Sequence, residues 1–142
     1  MLHYAQGRAA MPHLMFVYGT LKRGFRNHAD HLADAEFVDI GTTCDAYPLV
    51  LHGEDFRPVL VEARGQGYLV AGELYRVDNQ TLDALDCLER INDHDGYRRR
   101  RLAITDDQGQ RHSAWVYMKP SAWVDDVRSE LMATFDDERH RA

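Results

Sequence analysis

Leu14, Met15, Phe16 and Val17 form an unbroken apolar run that stops at Gly19, and shorter runs of the same kind recur along the chain. Such runs, about four to eight residues long and bounded by turn formers, read as strands. Phe37, Val38 and Ile40, then Tyr47 to Leu51, then Val59 to Val61 supply three more. Gly65-Gln66-Gly67 marks a turn, and Tyr68 to Val77 is the longest strand candidate, with Gly72 expected as a bulge or bend. The period then changes. Leu82, Leu85 and Leu88 recur at helical spacing after Asp78, which can cap a helix start, and Asn92 and Gly96 end the segment. Tyr97 to Ile104 and His112 to Met118 read as a final pair of strands across Asp106-Asp107-Gln108-Gly109, and Pro120 stops the second. Asn27 to Ala33 suits a short helix. Trp123, Val127, Leu131 and Phe135, at roughly helical steps, predict a terminal helix packed on the body, with His140 to Ala142 frayed.

Strands outnumber helices and short connections join most of them, so the pattern predicts an α+β fold built on a mostly antiparallel sheet or small barrel. A length of 142 residues suits one domain with a substantial core. The domain is expected over 13–120, with 121–142 as a helix or tail packed on it. Residues 1–12 lack a periodic pattern and read as an N-terminal extension, frayed or derived from a tag.

Composition is ordinary for a globular protein, and a net charge of −6 gives no general attraction to nucleic acid or to an anionic membrane. No apolar run approaches the roughly 20 residues that cross a bilayer, so the expectation is a cytoplasmic protein without a membrane partner. Cys44 and Cys87, the two cysteines, make neither a disulfide framework nor a zinc cluster and read as free, mostly buried thiols.

The first run carries the chemistry. Tyr18-Gly19-Thr20-Leu21-Lys22 follows a buried strand, and Gly19 permits a tight path in which successive N–H groups converge on an anion, a carboxylate for choice. A plain strand-to-loop exit has the same spacing. Gly19 and Gly24 imitate the first part of a phosphate-binding loop, but Phe25 and Arg26 stand where Lys and Ser or Thr are needed. On the later helix Leu82, Leu85 and Glu89 stand at i, i+3 and i+7, so Glu89 follows the apolar stripe while Asp83, Asp86 and Arg90 make the polar face. Burial and the negative helix end would both raise its pKa toward the range useful for proton transfer. The competing reading turns Glu89 to solvent or pairs it with an arginine of the Arg98 to Arg101 run.

That arginine run alternates faces on a strand, so it makes a poor nucleic-acid patch. His28 and His31 share a helix face without the further ligands a divalent site needs.

The two sites, with the segments between them, are similar to the γ-glutamylcyclotransferase-like superfamily, most of all its γ-glutamylamine cyclotransferase branch. The resemblance rests on Tyr18 to Gly24 with Asn27-His28, Tyr47-Pro48-Leu49-Val50, the Gly65-x-Gly67 turn, Val70 to Asp78, Leu85-Asp86-x-Leu88-Glu89, Tyr97-Arg98-Arg99 and Ala114-Trp115-Val116-Tyr117, in family order from about Leu14 to Met118. It implies a compact β-barrel with flanking helices. It also implies that backbone groups of Tyr18, Gly19, Thr20 and Leu21 hold the α-carboxylate and α-amino end of a small γ-glutamyl substrate. Glu89 would be the acid/base for closure of that substrate to 5-oxoproline, with no metal or other cofactor and with Tyr117 a candidate oxyanion contact. The acidic segment Arg90 to Gly96, read as lying near the pocket mouth, would suit an amine-bearing leaving group. A binding or regulatory module of the same fold, catalysing nothing, is the alternative that retention of Glu89 speaks against.

Overall fold

The computed structural model describes residues 11–142, so all but the last two residues of the expected extension lie outside the described residues. The apolar runs become strands: β1 (His13–Val17), β2 (Glu36–Thr43), β3 (Leu49–His52), β4 (Arg57–Glu62), β5 (Ala71–Val77), β6 (Arg98–Asp106) and β7 (Arg111–Pro120). Among the described residues two helices accompany them, α1 (His28–Leu32) and α2 (Asn79–Leu88). The strands form one sheet in the order β1-β5-β2-β6-β7-β4-β3, and an additional β1–β7 pairing closes β1, β5, β2, β6 and β7 into a barrel. The pairings β1–β7 and β4–β7 are parallel and the others antiparallel.

Closure explains why β1 is apolar without alternation. Phe16 packs into a cluster with Leu74, Ile104 and Val116, while Met15 and Val17 face a second cluster that takes in Leu82 and Leu85 of α2. Both faces of the strand are covered, so every position loses water on folding. Gly72 is not a bulge: that irregularity falls on β2 between Phe37 and Asp39. A Cβ on Gly72 would stand 2.4 Å from the Val17 carbonyl and 2.7 Å from the Phe16 ring, so close backbone approach inside the barrel is what requires glycine there. The strand it belongs to begins at Ala71, and Tyr68 makes only an isolated bridge to Tyr47.

The terminal helix does not form. Beyond β7 the described chain has two single 3-10 turns, Ser121–Trp123 and Glu138–His140, joined by an irregular strap. The reason lies in β3, whose outer edge carries unpaired backbone groups. The Arg128 N–H donates to Leu51 O at 2.8 Å, Met132 N–H to Leu49 O at 3.0 Å and Gly53 N–H to Asp126 O at 2.9 Å. An extended strap covers that edge and satisfies both sides, which a helix, bonded internally, could not do. Phe135 is the strap's anchor, fully buried, while Val127 and Leu131 are about half exposed at 48% and 47%. The last residues are not frayed either: His140 is buried, and Ala142 N–H donates to Gly24 O at 3.1 Å.

Candidate active site

The strand β1 leaves the edge of β7 at Val17, and β4 takes its place further along, from Leu60 opposite Met118. The loop that begins at Tyr18 is extruded through this fork. Three successive carbonyls are occupied: Gly19 O accepts from Lys22 N at 3.0 Å, Thr20 O from Asn27 N at 3.1 Å, and Leu21 O from His28 Nδ1 at 2.9 Å. The Asn27 side chain adds a bond to Thr20 Oγ1 at 2.8 Å. The N–H groups of Gly19, Thr20 and Leu21 find no acceptor among the described residues. A loop with its acceptors spent and its donors free has the electrostatics of an anion cradle. Gly19 also packs against Pro58 of β4, where a Cβ would come 2.6 Å from the proline Cγ.

Asp78 caps α2 through Thr81 N at 2.7 Å, and Glu89 closes the helix. The main chain of Glu89 is pinned on both sides, its N–H to Leu85 O at 2.9 Å and its carbonyl by Tyr97 N at 2.9 Å. Arg90 then turns sharply at φ 55°, and Gly96 folds onto the Arg90 carbonyl so closely that no side chain could fit. Glu89 is half-buried and makes no ion pair within 4.0 Å among the described residues. Burial pushes its carboxyl up to about 7, against the pull of Arg57 and Lys119.

Loop and helix end meet in a cavity of about 430 Å³. Tyr18, Gly19, Thr20, Leu21, Glu89 and Tyr117 all line it, so the structure brings together every residue that sequence reasoning singled out for the site. Three tyrosine hydroxyls in its wall spend their protons on the protein. Tyr18 donates to Tyr117 O at 2.7 Å, Tyr97 to Pro58 O at 2.7 Å, and Tyr117 to Asp86 Oδ1 at 2.7 Å. Burial raises the pKa of all three phenols, so they remain protonated donors.

The family described as gamma-glutamyl cyclotransferase, AIG2-like, matches residues 15–136. The chain belongs to that family. It is 33% identical over 126 residues to gamma-glutamylaminecyclotransferase A of Danio rerio, covering 86% of this chain and 78% of the relative. It is 38% identical over 131 residues to gamma-glutamylaminecyclotransferase B of the same organism, covering 87% and 68%. The crystal structure of an AIG2-like protein from Mus musculus superposes with a TM-score of 0.76 at 32% identity over 89% of each chain. The protein is thus an enzyme of the γ-glutamylcyclotransferase type with the family's α+β barrel. Among the described residues no helix is long and apolar enough to cross a membrane.

In the cavity of this γ-glutamylcyclotransferase-type enzyme several lining residues had no signal in the sequence pattern. Arg57 and Pro58 come from β4, Arg26 from the loop before α1, and His140 from the strap. Asp86, assigned to the polar helix face, instead accepts from Tyr117 and lies 3.4 Å from Arg99 Nε. The other arginines of the run are engaged elsewhere, Arg98 with the Ile91 carbonyl and the Trp123 ring, Arg100 with Glu62, Arg101 over Trp115. Asp93 and Asp95, expected at the mouth, are bound by Arg90 and do not line the cavity.

Proposed function

We propose that this enzyme cleaves a γ-glutamyl amide by intramolecular aminolysis, releasing 5-oxoproline and a free amine, with Glu89 as general base and then general acid. The observation that carries the proposal is the meeting of a free-donor loop and an unpaired, half-buried carboxyl in one cavity. The substrate's α-carboxylate would rest on two of the three N–H groups of Gly19, Thr20 and Leu21, leaving the third uncommitted. Glu89 takes a proton from the α-ammonium, and the freed amine attacks the γ-carbonyl to close a five-membered ring. Collapse of the tetrahedral adduct breaks the amide C–N bond as Glu89 returns the proton to the departing nitrogen. The second proton of the attacking nitrogen reaches the released amine through Glu89 or water, which balances the reaction. A carboxyl with a pKa near 7 can do both jobs near neutral pH. Holding the glutamyl chain folded makes the attack unimolecular.

The developing oxyanion needs a donor not already committed. Tyr117 gives its one proton to Asp86, so we assign the oxyanion to a loop N–H, with Tyr117 shaping the cavity wall beside the substrate. That the leaving group is an amine held in amide linkage to the γ-glutamyl unit follows the names of the two Danio rerio relatives. The test is chromatographic detection of 5-oxoproline from γ-glutamyl-ε-lysine and other γ-glutamyl amides, with wild type and Glu89→Gln in parallel. Product from wild type alone is expected; equal product from both would remove Glu89 from the mechanism.

A further inference from the structure

Three arginines of the cavity wall take no step in the reaction as drawn. Arg26, Arg57 and Arg90 line the cavity, against two carboxylates, Asp55 and Glu89. Arg90 is spent, with Nε 2.8 Å from Asp93 and a terminal nitrogen 2.7 Å from Asp95. The other two cations are not, among the described residues. Arg57 approaches Asp55 only to 3.9 Å, and that aspartate side chain is 79% exposed. Arg26 donates to Nδ1 of His140, and the same ring gives its Nε2 proton to the Phe56 carbonyl at 2.8 Å. A histidine that accepts at one nitrogen and donates at the other is uncharged, so Arg26 keeps its full charge. His140 also ties Arg26 to the residue preceding Arg57, which sits in a left-handed turn at φ 53°.

On the mechanism above, the glutamyl half of the substrate has no charge left for these arginines: the loop takes its carboxylate and Glu89 its ammonium. We infer that Arg57 and Arg26 form a subsite for a carboxylate carried by the leaving amine, making γ-glutamyl conjugates of amino acids better substrates than those of alkylamines or diamines. This rests on the cyclotransferase reading. A guanidinium fork matches a carboxylate, whereas the free ammonium of a diamine would meet two cations that no carboxylate among the described residues approaches closely. It reverses the expectation from the acidic segment after Glu89, because Arg90 neutralises Asp93 and Asp95 before a ligand can use them.

The experiment compares kcat/KM within matched pairs that differ only by the carboxylate: γ-glutamyl-ε-lysine with γ-glutamylcadaverine, and γ-glutamylglycine with γ-glutamylmethylamide. Wild type is expected to favour the acid member by about tenfold or more, the scale of one charge-assisted bond. Arg57→Gln and Arg26→Gln should each bring that ratio toward one. Ratios are the readout because both members of a pair use the same Glu89, so any change in its ionisation cancels. Equal turnover within the wild-type pairs overturns the subsite. So does an unchanged ratio in both variants with all rates lowered alike, which would assign the arginines to the glutamyl half. Absence of 5-oxoproline from all four compounds would overturn the cyclotransferase reading itself, a result distinct from equal turnover.

Discussion

The Tyr18 hydroxyl donates to the Tyr117 carbonyl at 2.7 Å and, in return, accepts the Leu60 N–H at 3.1 Å. One side chain therefore closes the gap in the β7 edge between the departure of β1 and the arrival of β4, at the root of the loop that follows β1. Tyr18→Phe leaves a buried carbonyl and a buried N–H without partners, at about 1–3 kcal/mol each. Urea unfolding should show a loss of about 2–4 kcal/mol, accompanied by a raised KM because the loop is no longer fixed at its start. A loss below about 0.5 kcal/mol would mean that water serves the fork equally well.

Glu89→Gln should lower kcat by about 10²–10⁴-fold, the usual worth of a positioned acid/base, with KM little altered. The same variant should be more stable than wild type above neutral pH. With the folded pKa raised to about 7 from 4.5, the native state binds the Glu89 proton more tightly than the unfolded chain does, so wild-type stability falls as pH rises through that window. The advantage of the variant, about 1–3 kcal/mol at pH 8, should shrink to nothing below about pH 4.5 in parallel denaturation curves.

The acid limb of kcat/KM should lie near pH 7, where Glu89 becomes the base. Arg57 holds that carboxyl down, so Arg57→Gln should move the limb to higher pH in profiles taken on γ-glutamylmethylamide. A limb that stays in place would place the guanidinium too far from Glu89 to matter.

Gly19→Ala drives a methyl group to 2.6 Å from the Pro58 ring and must displace either the loop or β4. We expect a destabilisation of about 1–3 kcal/mol and a KM raised by roughly tenfold or more. The double variant with Pro58→Ala should recover part of both, since the two sites share one contact. Additive losses would locate the damage elsewhere in the loop.

Much of this architecture was legible locally. Alternation and apolar runs marked the strands because a strand's side-chain period is fixed by its own backbone, and Asp78 marked the start of α2 because its cap bond spans only to Thr81. The position of Glu89 on the stripe of Leu82 and Leu85 followed from helical geometry in the same way. The strap misled for a related reason. Trp123, Val127, Leu131 and Phe135 repeat at helical steps, yet the chain there is extended because the edge of β3, distant in sequence, offers partners that local periodicity cannot register.

The sequence by itself determined the seven strands, the two helices, the loop after β1 and the carboxylate closing α2, all written in spacings shorter than one helix. Only the tertiary structure decided what those pieces face. Barrel closure set the loop against the helix end, spent the Tyr117 proton on Asp86, covered the fork with Tyr18 and left Arg26 and Arg57 without a close carboxylate among the described residues while Arg90 consumed the nearby acids. Hydrogen bonding and desolvation depend on which groups arrive at the same point in space, and here those groups come from opposite ends of the chain, as Arg26 and His140 do.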